Sequence, residues 1–101
     1  MTELVWQHLP ADDRGLAYGD GCFETLRLTP GAAPLWLRHR ARLLEGAGRL
    51  GIPFSADEAD AALTAALSQA RDTEAGVLKL ILTRGSGGRG YAWPEPAAPR
   101  L

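Results

Sequence analysis

Two arginines and four glycines crowd the run Thr83-Arg-Gly-Ser-Gly-Gly-Arg-Gly-Tyr91, which directly follows the apolar Gly76-Val-Leu-Lys-Leu-Ile-Leu82. Glycine gives up backbone order, and here Arg84 and Arg89 bring two guanidinium groups into one turn. Closely spaced backbone N–H groups and forked Arg donors suit a carboxylate or a phosphate. The segment therefore reads as an anion-binding loop or as a plain glycine-rich hairpin. It is not a nucleotide P-loop, because it lacks the Gly-Lys-Ser/Thr ending. Arg42, in His39-Arg-Ala-Arg-Leu43 and one turn before Gly46, is either a solvated arginine or one held for a phosphate group. His39 sits near a helix start, a poor place for a cation, and reads as structural; His8 reads as a surface residue. Asp12, Asp13, Asp20 and Glu24 lie near glycines. They could do acid–base work or hold Mg²⁺, although Asp13 before Arg14-Gly15 is equally well explained by turn chemistry.

The elements that would carry these residues follow from the pattern. Leu4 to Trp6 reads as a short strand, Pro10–Gly15 as a turn, and Gly19-Asp-Gly21 as a second break. Cys22 to Leu28 alternates Cys/Glu/Leu/Leu with Phe/Thr/Arg, as a strand with one covered face does. Pro30-Gly31 closes it, and Pro34-Leu-Trp-Leu37 reads as the returning strand of a hairpin. A first helix is expected from about Arg38 to Leu50, with a stripe of Ala41, Leu44 and Ala47 flanked by Leu43 and Leu50, stopped by Gly51 and Pro53. A second starts with a capping box, Ser55 and Glu58, and keeps Ala59, Ala62, Leu63, Ala66, Leu67 and Ala70 in helical phase. Val77 to Leu82 is expected as a largely buried strand. The tail from Trp93 to Leu101, with prolines at 94, 96 and 99, cannot pair as a central strand. The predicted fold class is α+β: an antiparallel or mixed sheet of four to five strands with two helices packed on one side.

With 101 residues the chain is one domain. A formal net charge of −1 argues against nucleic acid or an anionic membrane as a partner bound by bulk charge. The basic residues are ten arginines and the single lysine Lys79, so chemistry that needs a lysine has one candidate within this chain. Cys22 is alone, which excludes an internal disulfide and a cysteine-cluster zinc site. No run approaches the roughly 18 apolar residues of a membrane span, and the N-terminus does not read as a signal peptide. The expectation is a cytoplasmic domain without metal.

Three segments, Asp13-Arg-Gly-Leu-Ala-Tyr-Gly-Asp-Gly-Cys-Phe-Glu-Thr25, His39-Arg-Ala-Arg-Leu43 and Thr83–Tyr91, together resemble the N-terminal half of the class IV aminotransferase-like enzymes. These are pyridoxal 5′-phosphate (PLP) enzymes of fold type IV, and the resemblance covers about Asp13 to Tyr91. It implies that Arg42 binds the cofactor phosphate, that Phe23 lines the substrate pocket, and that Arg89 and Tyr91 face the substrate carboxylate. It further implies a homodimer acting on a small-molecule substrate. The third segment is closest to the family's lyases of folate biosynthesis, which release 4-aminobenzoate and pyruvate. A D-amino-acid or branched-chain aminotransferase and a non-catalytic α+β interaction domain are the alternatives. The resemblance makes residues 1–101 the N-terminal domain, with the PLP-bonding lysine and a second phosphate cradle beyond Leu101. Lys79 does not match that lysine, and this chain alone is expected to be inactive.

Overall fold

The computed structural model describes residues 2–6, 8–69, 75–87 and 99–101. Five elements follow in order: α1 (Arg14–Tyr18), β1 (Gly21–Leu28), α2 (Trp36–Leu50), α3 (Ala56–Gln69) and β2 (Gly76–Thr83). The fold is α+β, as the pattern implied. β1 and β2 pair antiparallel over their full length, with Phe23 opposite Ile81, Thr25 opposite Lys79 and Leu26 opposite Leu78. Because side chains alternate across a strand, one face carries Glu24, Leu26, Leu28, Leu80 and Leu82, all buried. α2 and α3 cover that face, and a core forms from Leu26, Leu43, Ala47, Ile52, Ala62, Leu80, Leu82 and Leu101.

Both helices show their stop and start signals in atomic detail. Gly51 ends α2 with φ of 68°, and its N–H reaches back to the carbonyls of Ala47 and Gly48. At the start of α3, Ser55 Oγ accepts from Glu58 N at 3.2 Å while Glu58 Oε1 accepts from Ser55 N at 3.1 Å. Thr2 N donates to the other Glu58 oxygen at 2.6 Å. Hydrogen bonds from Thr2 and then Ser55 hold the Glu58 carboxyl below its ordinary range, against a smaller upward push from burial.

Several expectations need correction. Among the described residues the sheet has two strands, not four to five. The segment around Pro34–Leu37 is not a returning strand: Thr29 and Ala32 close a tight turn, and helix α2 is already under way at Trp36. Trp36 Nε1 donates to Asp60 Oδ1 at 2.8 Å. The indole thus binds α2 to α3 instead of joining a sheet. Ala41 is exposed, and the buried line on α2 runs through Leu43 and Ala47. β2 is covered on one face only, for Val77 is 72% and Ile81 47% exposed. The turn expected over Pro10–Gly15 is present at its start, where Asp13 N donates to Pro10 O at 3.0 Å, but its end is already the one-turn helix Arg14–Tyr18.

The described end of the tail does pair, contrary to the sequence reading. Arg100 bridges Thr83 on one side and Glu3 on the other. Pro99 needs no ladder N–H there, because its carbonyl accepts from Glu3 N at 2.9 Å. Ala70 lies outside the described residues.

Candidate functional site

The first and third of the three segments meet at the end of β2. Asp13 is fully buried and caps α1, its Oδ1 accepting from Gly15 N at 2.7 Å and Leu16 N at 3.4 Å. Its second oxygen accepts from Thr83 Oγ1 at 2.9 Å and from the Arg100 guanidinium at 3.0 Å. Gly15 is obligatory at this junction, since a Cβ there would overlap Thr83 Cγ2. Ser86 Oγ donates to Asp12 Oδ1 at 2.8 Å, tying the start of the glycine-rich run to the same segment. The Asp13 carboxylate therefore serves as cap and clamp, with none of its oxygens open to a substrate or a metal.

Arg84 is consumed by the fold. It is buried, donates from Nε to Asp20 Oδ2 at 2.8 Å, and reaches the Leu50 and Gly51 carbonyls at the C-terminus of α2. Arg14 Nε meets the same Asp20 oxygen at 2.7 Å, and its guanidinium lies 4.8 Å from the centre of the Tyr18 ring. Burial alone would raise the Asp20 carboxyl, but hydrogen bonds and charge from Arg84 and Arg14 hold it below its ordinary value. Arg84 is thus committed to the fold and is not one of a pair of arginines open to an anion. Arg89 and Tyr91 lie outside the described residues.

The second segment joins the first through Glu24. This carboxylate is buried on the helix-facing side of β1. Its Oε1 lies 2.7 Å from His39 Nδ1 and its Oε2 3.4 Å from Arg42 Nε. An ionised carboxylate can only accept, so Nδ1 of His39 donates. The His39 side chain, expected to be structural, is largely buried and bonded to Glu24. Arg42 has its side chain 70% exposed, with Nη1 and Nη2 holding no partner among the described residues.

Phe23 is the neighbour of Glu24 in β1 and is therefore on the opposite face of the sheet, 59% exposed. Lys79 Nζ sits 4.6 Å above the centre of its ring. Cation and aromatic attract at that distance, so the one lysine of the chain is a face residue of β2. Phe23 and Glu24, the carboxylate that Arg42 of α2 meets, are thus neighbours on β1 but lie on opposite faces. A cleft of about 490 Å³ opens between the N-terminal segment and β2, with Leu4, Trp6, Leu16 and Lys79 in its lining but neither Phe23 nor Arg42. Glu24 is the residue that sequence reasoning placed in the wrong company, among the glycine-flanked acids. The available signal was its phase: it alternates with Cys22, Leu26 and Leu28 on the covered face, where a carboxylate needs cationic partners.

A three-helix α+β unit with these three segments around one edge strand places the chain in a known class. The family model described as amino-transferase class IV matches residues 21–101, and the chain belongs to that family. Among its relatives, the aminodeoxychorismate lyase of Vibrio harveyi is 39% identical over 94 residues, covering 91% of this chain and 33% of the lyase. The D-alanine aminotransferase of Staphylococcus aureus (strain MSSA476) is 31% identical over 87 residues, covering 84% of this chain and 30% of that enzyme. Among solved structures, 4-amino-4-deoxychorismate lyase from Pseudomonas aeruginosa superposes with a TM-score of 0.83 at 48% identity, over 94% of this chain and 34% of that one. A PLP-bound hypothetical aminotransferase from Mycobacterium tuberculosis gives 0.74 at 30% identity, over 93% of this chain and 32% of that one. The chain spans about a third of the length of the curated relatives it matches.

Proposed function

We propose that this chain is the N-terminal domain of a PLP-dependent aminodeoxychorismate lyase, which converts 4-amino-4-deoxychorismate to 4-aminobenzoate and pyruvate for folate synthesis. The observation that carries the cofactor reading is Arg42. Its Nε is held by Glu24 while its two terminal amino groups stay open, and a phosphate monoester takes forked guanidinium donors well. The donor set therefore fits the phosphate of PLP. The lyase is favoured over an aminotransferase by identity, 48% and 39% with two lyases against 31% with a D-alanine aminotransferase.

In this reading Arg42 binds the cofactor phosphate and fixes one end of the cofactor. Phe23 lines the substrate pocket from the open face of β1, and Arg89 and Tyr91 face the substrate carboxylate. PLP, when bound, supplies the electron sink for loss of the enolpyruvyl group. The lysine that bonds it lies beyond Leu101. Lys79 is unsuited to that task, as its amine is already placed over Phe23. The working enzyme is a cytoplasmic homodimer, and residues 1–101 alone do not turn over.

The test uses the full reading frame that contains this chain. Purified protein given 4-amino-4-deoxychorismate should release 4-aminobenzoate, read by its fluorescence, together with pyruvate. Arg42→Ala should weaken PLP binding about tenfold or more, as loss of a charge-assisted phosphate contact does. Release of 2-oxo acids from D-amino acids, without 4-aminobenzoate from the chorismate derivative, would establish the aminotransferase instead.

A further inference from the structure

Glutamate is an odd choice for the inward side of an edge strand. On β1 the same side carries Cys22, Leu26 and Leu28, and removing a carboxylate from water there is costly unless cations meet it. Two side chains meet it, one at each oxygen: His39 Nδ1, a hydrogen-bond donor, at 2.7 Å from Oε1, and the Arg42 guanidinium, an ion-pair partner, with Nε at 3.4 Å from Oε2. Both come from α2, three positions apart, the spacing that stacks side chains on one helix face.

The two partners differ in what they have left to offer. The side chain of His39 is only 16% exposed and is committed to Glu24. Arg42 comes closest to the carboxylate through Nε, an ion-pair contact at 3.4 Å. That contact restrains the far end of a long side chain, which would otherwise lose much rotamer freedom on binding a ligand. It also leaves the outer, forked edge of the guanidinium for an anion.

We infer that Glu24 is a positioning residue for anion capture: His39 orients the Glu24 carboxylate, the carboxylate holds Arg42 at Nε, and Arg42 presents Nη1 and Nη2 to the cofactor phosphate. This rests on the reading of Arg42 given above and adds a division of labour among the three side chains. The attraction is between Glu24 and Arg42, and the benefit falls on the phosphate.

The test compares PLP with pyridoxal, which lacks the phosphate, each titrated into the full-length protein and followed by quenching of tryptophan fluorescence. Glu24→Gln keeps an acceptor for His39 but removes the charge that faces Nε. It should weaken PLP about fivefold, the size of an exposed ion pair, and leave pyridoxal unchanged. Arg42→Lys has no Nε, so Glu24→Gln added to it should have no further effect on PLP. Should Glu24→Gln prove too unstable to purify, His39→Ala is run in the same pairing with Arg42→Lys. It should weaken PLP selectively in the wild-type background and do nothing in the lysine background.

Equal loss of PLP and pyridoxal affinity would mean a structural role only and would overturn the inference. So would a loss that persists undiminished in the Arg42→Lys background. If Arg42→Ala leaves PLP affinity intact, the reading of Arg42 itself falls; if that variant fails to bind PLP while Glu24→Gln binds normally, only the positioning role falls.

Discussion

Asp20 shows most plainly how a residue's work departs from its sequence appearance. As an acid between two glycines it looked available for chemistry, yet two buried arginines meet on one of its oxygens. Asp20→Asn should cost about 3 kcal/mol near neutral pH, since it leaves both guanidinium groups short of a buried counter-charge. The sign of the pH dependence follows from the depressed folded value. Asp20 stabilises the fold above its ordinary value of 3.8, and that contribution disappears as pH falls through the lower folded value. Urea titrations of wild type and variant should therefore differ most near neutrality and converge in acid; a constant gap would refute the ion-pair account. Arg84 was misread for a related reason. Sequence shows a donor beside glycines, but it does not show that Asp20, Leu50 and Gly51 fold back around it. The exposure of Arg42, though not its role, was legible, because it follows from the residue's offset on α2.

At the level of elements, signals local in sequence were read correctly. The Gly51 stop, the Ser55–Glu58 cap and the alternation through β1 each lie within a few residues of their physical cause. Errors arose where the cause was distant. Pro34–Leu37 has strand-like residues, but the hydrogen bond from Trp36 to Asp60, 24 positions away, draws the segment into α2. The proline-rich tail was expected not to pair as a central strand, yet Arg100 has Glu3 on one side and Thr83 on the other, with a bridge to each. The glycines provide a test at this scale. Nothing approaches a Cβ added at Gly48 within α2, so Gly48→Ala should stabilise by about 0.5–1 kcal/mol. Gly15→Ala must push against Thr83 and should destabilise by about 1–3 kcal/mol. Thermal unfolding of the two variants should move in opposite directions.

The molecule as a whole is covered on one side. Among the described residues, Phe23 and Ile81 lie opposite each other on the sheet's other face with Val77 farther along β2, all three exposed, and the chain is a third as long as its curated relatives. An apolar face of this kind favours association when nothing lies over it. Residues 1–101 expressed alone should self-associate in light scattering, and the double change Val77→Thr with Ile81→Thr should restore the monomer. A wild-type chain that stays monomeric would show that the face tolerates water. Arg84 joins Asp20, 64 positions away, and Leu50, 34 positions away. Such bonds close only after distant parts of the chain have met, so they form late on the way to the native state. Loss of this clasp should shorten the lifetime of the folded molecule far more than it slows the making of it.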